Sequence, residues 1–210
     1  MEKLHPKWEK ATKELISKLE DCGINFENYN TIELFGREGS WQTKLFANKV
    51  KNLEVWEIDN SFEKKLRENL PKSEVKIVDS IKTLQENKNF PAYDLILIDN
   101  PNNTYGLNGT YCEHFDILKN IKKLIHNRAL IIFNVNRKPF NYEEFPKWRK
   151  RRDEFYGTKK TEDMSITNLL KFYEEFFDNL GLKTIFSINV VRVLFDGIDT
   201  NHYFAFLLTR

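Results

Sequence analysis

Cysteine, histidine and long apolar runs are all scarce in this chain. Two cysteines in 210 residues, Cys22 and Cys112, cannot staple a disulfide scaffold, and both are expected as reduced residues in or near the core. The four histidines, His5, His114, His126 and His202, include no pair at metal-ligand spacing, so no metal site is expected. No apolar stretch reaches the ~18 residues of a membrane-crossing helix. The start, Met1-Glu2-Lys3-Leu4-His5-Pro6, has no leader-like apolar core. A soluble, cytoplasmic protein without membrane insertion is the expectation. A net charge of +2 does not by itself mark a nucleic-acid binder. There is no Gly-x-Ser-x-Gly elbow and no phosphate-cradling Lys/Ser loop, so a triad hydrolase is poorly supported.

What is present is a repeated pattern of short apolar runs that end in an acid. Tyr93-Asp94-Leu95-Ile96-Leu97-Ile98-Asp99-Asn100-Pro101 reads as a buried strand stopped by a carboxylate and a turn. Asn30–Leu34 runs into Gly36-Arg37-Glu38-Gly39-Ser40, Leu53–Trp56 into Glu57-Ile58-Asp59, and Val75–Val78 into Asp79-Ser80. A fifth run spans Ala129–Val135. Helical patterns lie between them at Trp41 to Val50, Phe62 to Leu70, a short stretch through Ile81 and Leu84, and Cys112 to Ile125. Ahead of them, residues 1–29 form a helical segment with Trp8, Ala11, Leu15, Ile16 and Leu19 on one face. Buried strands alternating with helices predict a parallel sheet covered on both faces, with right-handed crossovers.

The later part breaks this rhythm. Residues 137–160 hold nine Lys or Arg against four Asp or Glu, with Pro139 and Pro146. Asp163 or Ser165 can cap a helix with a wide apolar face that stops at Gly181. Thr184–Phe195 and His202–Leu208 are strand-like and joined by a short link through Asp196-Gly197, so they must run antiparallel. With 17 Phe, 8 Tyr and 4 Trp, the chain can bury the core of one α/β domain over residues 1–210, built on a mixed seven-stranded sheet.

This order resembles the class I S-adenosylmethionine-dependent methyltransferases, a Rossmann-like three-layer sandwich whose seventh, antiparallel C-terminal strand enters between the fifth and sixth. In topology the likeness covers residues 30 to 210, with its motifs between 31 and 101. The family has an acid near the end of its first strand and then Gly-x-Gly-x-Gly. The acid falls on Glu33 and the glycines on Phe35, Arg37 and Gly39, a degenerate motif in which Gly36, Gly39 and Ser40 would supply the turn and helix start. The resemblance implies an S-adenosylmethionine cofactor. Glu57, or alternatively Asp59, would take the ribose hydroxyls, Asp79 and Ser80 would lie at the adenine, and Asp99 near the methyl group. Asp99 or His114 would serve as base where the acceptor carries a proton. Asn100-Pro101 departs from the Asn-Pro-Pro-Tyr signature of amino-group DNA methylases.

Each acid also has a plainer explanation. Glu57 could be a solvated residue after a strand, Asp79 a helix cap, and Asp99 ordinary turn chemistry. Glu33 needs partners, either backbone donors of the loop or Arg37. Residues 137–162 would be a basic insertion on the substrate side. Arg137, Arg151 and Arg152 could clamp a small anionic or sugar-containing acceptor while Trp148, Tyr156 and the earlier Tyr105 stack on it. The same composition could contact a nucleic acid, or form a solvated helix with Trp148 and Phe155 packed inward. Gly106 and Gly109 would let the preceding loop move over the cleft. Other expectations kept open are aminopropyl transfer, a non-catalytic methyltransferase-like binding domain, and self-association through the sheet edge or the helix at 165–180.

Overall fold

Parallel strands place their carboxyl ends side by side, and that edge is where the acids of this chain gather. The computed structural model describes residues 6–140, 142–195 and 197–210; the residues before Pro6 and the link residue Asp196 lie outside this range. In chain order the elements are α1 (Pro6–Asp21), β1 (Asn30–Glu33), α2 (Gln42–Ala47), β2 (Asn52–Glu57), α3 (Glu63–Asn69), β3 (Glu74–Ile77), α4 (Ser80–Glu86) and β4 (Leu95–Ile98). There follow β5 (Thr104–Tyr105), β6 (Tyr111–Cys112), α5 (Phe115–Leu118), β7 (Arg128–Asn136), α6 (Pro146–Tyr156), α7 (Ile166–Asn179), β8 (Lys183–Phe195) and β9 (Ile198–Thr209).

Seven strands form one sheet in the order β3-β2-β1-β4-β7-β9-β8. The first five pair in parallel, and β9 runs antiparallel to both β7 and β8. The last strand therefore sits between its two predecessors, as the resemblance implied. β5 and β6 make a separate two-stranded ribbon in what the composition presents as loop.

Both faces of the sheet are covered. On one, Ile81, Leu84, Phe115, Leu169, Tyr173 and Phe177 pack against Ile96, Ile131, Phe133 and Phe206. On the other, Ala11, Leu15, Ile16, Leu19 and Phe46 cover Leu95, Leu97, Leu130, Ile132 and Leu207. The Leu95–Ile98 run is buried on both sides, each side chain being fully enclosed. Burial of that order contributes about 1.5–3 kcal/mol per side chain.

The local signals mostly act where they stand. Ser165, one of the two expected caps, accepts from the Asn168 N–H at 3.2 Å, and Gly181 takes φ +69° after α7. Two details differ. The single helix expected over Cys112 to Ile125 is the one-turn α5 followed by a 3-10 turn at Ile121–Leu124. Cys112 is buried as anticipated, but Cys22 is exposed at the end of α1. No helix of the described residues is long and apolar enough to cross a membrane.

Candidate functional site

Glu33 ends β1 with a fully buried side chain. Its Oε1 accepts the backbone N–H groups of Phe35 (3.1 Å) and Asp99 (3.3 Å), and its Oε2 accepts from Thr43 Oγ1 (3.1 Å). Loop donors thus satisfy it rather than Arg37, which pairs with Glu38 at 3.1 Å. Burial, and then the neighbouring Asp99 charge, push its pKa up to about 8. This carboxyl ties the end of β1 to the end of β4 and does not line the cavity described below.

The turn after β1 is held tightly on β2. The Gly36 N–H donates to the Trp56 carbonyl at 2.8 Å, and a Cβ at Gly36 would clash with Val55 Cγ1. Arg37 stands at a glycine position of the expected motif and keeps a glycine-like backbone, φ +46°, which costs an ordinary residue ~1 kcal/mol or more. Its guanidinium lies 4.9 Å from the Trp41 ring centre and 5.8 Å from that of Phe62. A Cβ at Gly39 would lie 2.7 Å from Leu66 Cδ1 and from Leu70 Cδ1, and Ser40 is buried beside Glu38. Both shape the turn from behind.

Glu57 closes β2 and points both oxygens at the chain. Oε2 accepts from the Arg37 N–H (2.6 Å) and Oε1 from the Asp59 N–H (2.7 Å). One backbone bond on each oxygen leaves one lone-pair direction on each. Asp59 is spent locally: its carboxylate accepts from the Ser61 N–H at 2.8 Å, and the hydrogen bonds from Ser61 lower its pKa. Asp79 caps α4 through a 3.0 Å bond from the Lys82 N–H, and Ser80 Oγ donates to the Leu34 carbonyl at 2.6 Å. The helix-cap explanation of Asp79 is therefore correct as far as one oxygen goes.

Asp99 meets a partner that sequence reasoning missed. Arg192 of β8 places Nη2 2.8 Å from Asp99 Oδ1, with 5% and 7% of the two side chains exposed. Burial raises the Asp99 pKa and the Arg192 charge opposes that rise.

These groups surround a cavity of about 560 Å³ beyond the carboxyl ends of the strands. Gly36, Glu57, Asp79, Ser80, Asp99 and Tyr105 line it, along with Arg37, Trp8, Trp41, Asn100, Asn102 and Arg192. Its size falls in the ~300–1,000 Å³ range of small-molecule sites. Tyr105 and Tyr111, from the β5–β6 ribbon, form one wall. The Tyr105 hydroxyl donates to the Glu113 carbonyl at 3.0 Å, and burial raises its pKa.

The other expected residues lie elsewhere. His114 is fully enclosed, 2.6 Å from the Tyr173 hydroxyl, and burial holds its pKa well below the usual imidazole range. Arg152 is fully buried and bonds Glu113 Oε1 at 2.6 Å, which also accepts from Trp148 Nε1 at 2.7 Å. The Tyr156 hydroxyl meets Tyr173 at 2.7 Å. Arg151 is held by Asp116 (2.9 Å) and the Thr110 carbonyl (2.6 Å), and Arg137 by Asp163 (2.6 Å) and Asp199 (2.7 Å). None of these residues lines the cavity. The solvated-helix explanation of the basic segment accounts for Trp148, which is packed inward, but not for Arg152, whose charge is taken inside with the Glu113 carboxylate rather than left in water. Among the described residues, no group of three or more His, Cys, Asp or Glu side chains could hold a metal ion.

No family model and no curated protein matches the chain. Solved structures do. Over 98% of this chain and 77% of the other, it superposes on M. jannaschii TYW2 in complex with AdoMet, with a TM-score of 0.61 and 12% identity. A putative sarcosine dimethylglycine methyltransferase from Galdieria sulphuraria gives 0.57 at 12% identity over 95% and 85%. The N-methyltransferase NodS from Bradyrhizobium japonicum gives 0.56 at 10% identity over 94% and 96%. The chain has the Rossmann-like fold of the S-adenosylmethionine-dependent methyltransferases. At such identities the likeness is one of fold. In a methyltransferase-like sheet of this kind, ligands sit in the crevice outside the carboxyl ends of the strands, and the cavity occupies that crevice here.

Proposed function

We propose that this protein is an S-adenosylmethionine-dependent methyltransferase acting on a small acceptor. The observation that carries this is the convergence of Glu57, Asp79 and Asp99, from the ends of three different strands, on one nucleoside-sized cavity.

The residues present fit the cofactor. Glu57 keeps one free acceptor direction on each oxygen, the arrangement that two neighbouring ribose hydroxyls require. Asp79 and Ser80–Ile81 would flank the adenine, with the Asp79 oxygen left over from the helix cap as acceptor for its amino group. The turn at Gly36–Arg37 would receive the amino-acid end, since its left-handed backbone is preserved despite the missing glycines. Bound there, S-adenosylmethionine would supply an electrophilic methyl group on a sulfonium.

The protein's own contribution is to position an acceptor, exclude water and hold protons. Phe35, Tyr105 and Tyr111 wall the cavity with rings that would help exclude water. Asp99, fixed by Arg192, would orient the acceptor or receive its proton. His114 lacks access to the cavity. The arginines expected to clamp an anionic or sugar-bearing acceptor are engaged with Asp116, Glu113, Asp163 and Asp199, which weakens the case for an anion and for a nucleic acid on that segment.

Isothermal titration with S-adenosylmethionine tests the assignment. Micromolar binding is expected. Glu57→Ala should weaken it by roughly 10- to 100-fold, the loss of charge-assisted hydrogen bonds worth about 1.5–3 kcal/mol. A folded protein that does not bind would instead be a methyltransferase-like binding domain.

A further inference from the structure

The end of the sheet opposite the cavity gathers positive charge. Ahead of β4 and β7 a groove of about 820 Å³ opens between the 88–90 loop, the 3-10 turn at Ile121–Leu124, the link at 126–127 and Arg210 after β9. Lys88, Lys122, Lys123, His126 and Arg210 line it, and no Asp or Glu does. Lys88, His126 and Arg210 are exposed, and Lys122 and Lys123 are half-buried, so the groove is open to a solute. Arg128 and Lys183, the register partners of Thr209 on its two sides, add two exposed cations at the same end of the sheet.

The fold fixes these cations without neutralising them. Lys122 Nζ donates to the Leu180 carbonyl at 2.7 Å, and Lys123 Nζ to the carbonyls of Leu84 and Gln85, the latter at 3.2 Å. Arg210 Nη2 donates to the Lys122 carbonyl at 2.8 Å. Gly181 leaves room for the Lys122 ammonium, since a Cβ there would lie 3.0 Å from Nζ. An ammonium or a guanidinium has more N–H donors than these bonds use, so each keeps donors for a ligand. Among the described residues, none of Lys88, Lys122, Lys123 and Arg210 pairs with a carboxylate, whereas Arg37, Arg137, Arg151, Arg152 and Arg192 all do.

Ammonium groups held by carbonyls keep their orientation and their full charge, and like charges fixed together repel until an anion joins them. We infer that this groove is a second binding site and takes a small polyphosphate anion, of the charge density of a nucleoside triphosphate. Phosphate oxygens accept charge-assisted hydrogen bonds from these donors, with lysine serving as a point charge. The cations come from separate segments and line one hollow, which fits a compact anion; a phosphodiester backbone is better served by a stripe of charge. The groove lies beyond the amino ends of β4 and β7, away from the strand ends that carry Glu57, Asp79 and Asp99. It does not depend on the methyl-transfer assignment.

Titration calorimetry of the full chain with inorganic triphosphate tests this, with sulfate, AMP and a short single-stranded oligonucleotide as comparisons. Triphosphate should bind one to one, at least tenfold tighter than sulfate or AMP, and weaken as salt rises. Lys88→Glu with Arg210→Glu should lower that affinity at least tenfold. Lys147→Glu with Lys150→Glu makes the same change of net charge on exposed residues of α6 and should leave it within threefold. Melting curves confirm that both pairs fold; should the groove pair not fold, Lys88→Gln alone, at an exposed loop residue, should still weaken binding at least threefold. S-adenosylmethionine should not displace triphosphate, and its own binding, present or absent, is read separately. The site is overturned if triphosphate does not bind, if both charge-reversal pairs weaken it alike, or if S-adenosylmethionine displaces it. An oligonucleotide that binds tighter than triphosphate, and loses that binding in the groove variant, would overturn the small-anion class and assign the groove to a nucleic acid.

Discussion

Replacing Arg152 by methionine should damage the fold and leave the cavity alone. Arg152 and Glu113 form a 2.6 Å ion pair with neither side chain exposed, and Arg152 also donates to the carbonyls of Asn136 (2.8 Å) and Thr161 (3.3 Å). Removing the cation strands a carboxylate in the interior, which costs about 3–5 kcal/mol. For a domain of this size each kcal/mol lowers the melting temperature by roughly 2–4 °C, so a drop of about 6–20 °C is expected. The Glu113→Gln, Arg152→Met double variant removes both charges and keeps an oxygen for Trp148 Nε1. It should recover most of the loss, giving a coupling of at least ~2 kcal/mol, well above the few tenths expected of independent sites. Circular dichroism melts of the four proteins in low and high salt measure this, and salt should leave the coupling intact because the pair is out of reach of ions. A single-variant shift below about 3 °C, or strictly additive effects, would refute the account of α6 as a segment pinned from within.

Other substitutions probe the site itself. Glu33 holds a proton that the unfolded chain releases between pH ~4.5 and about 8, so it stabilises the fold at low pH and its contribution fades as pH rises through 8, with a slope of about 1.4 kcal/mol per pH unit. Glu33→Gln should flatten melting temperature against pH over that window, and an unchanged profile would contradict the assignment. Gly36→Ala forces a Cβ onto Val55 and should destabilise by about 1–3 kcal/mol in urea titrations, with partial recovery in a Val55→Ala background. Ser80→Ala leaves the buried Leu34 carbonyl without its donor and should cost about 1–3 kcal/mol; loss of less than half a kcal/mol would show that water replaces the hydroxyl.

The parallel strands were legible because buried strands write themselves as short apolar runs, and the acids at their ends mark where they stop; the place of β9 between β7 and β8 came only from the family resemblance. Glu57, Asp79 and Asp99 were legible for the same reason, as their positions follow from the strand ends. Arg192 was not, since a lone cation in Val190-Val191-Arg192-Val193 reads as a solvent-facing residue, and a bulge changes which face it takes without changing composition. Asn100 was hidden inside ordinary turn chemistry. The basic segment misled because its partners, Glu113 and Asp116, lie far away in sequence; a run of cations carries no sign of whether carboxylates wait for it inside the fold. The ribbon of β5 and β6 was missed because strands of two residues leave no periodicity to read.

The insertion of β9 between β7 and β8 sets a schedule for the nascent chain. Until Ile198–Thr209 leaves the ribosome, β7 presents an unpaired edge and β8 has no neighbour in the sheet. The bulge at Arg192, between the Val191–His202 and Val193–Asn201 pairs, exists only as a mismatch against β9, so Asp99 waits without its counter-ion until β9 is in place. Loss of β9 would therefore disarm the centre of the molecule and bare a sticky strand.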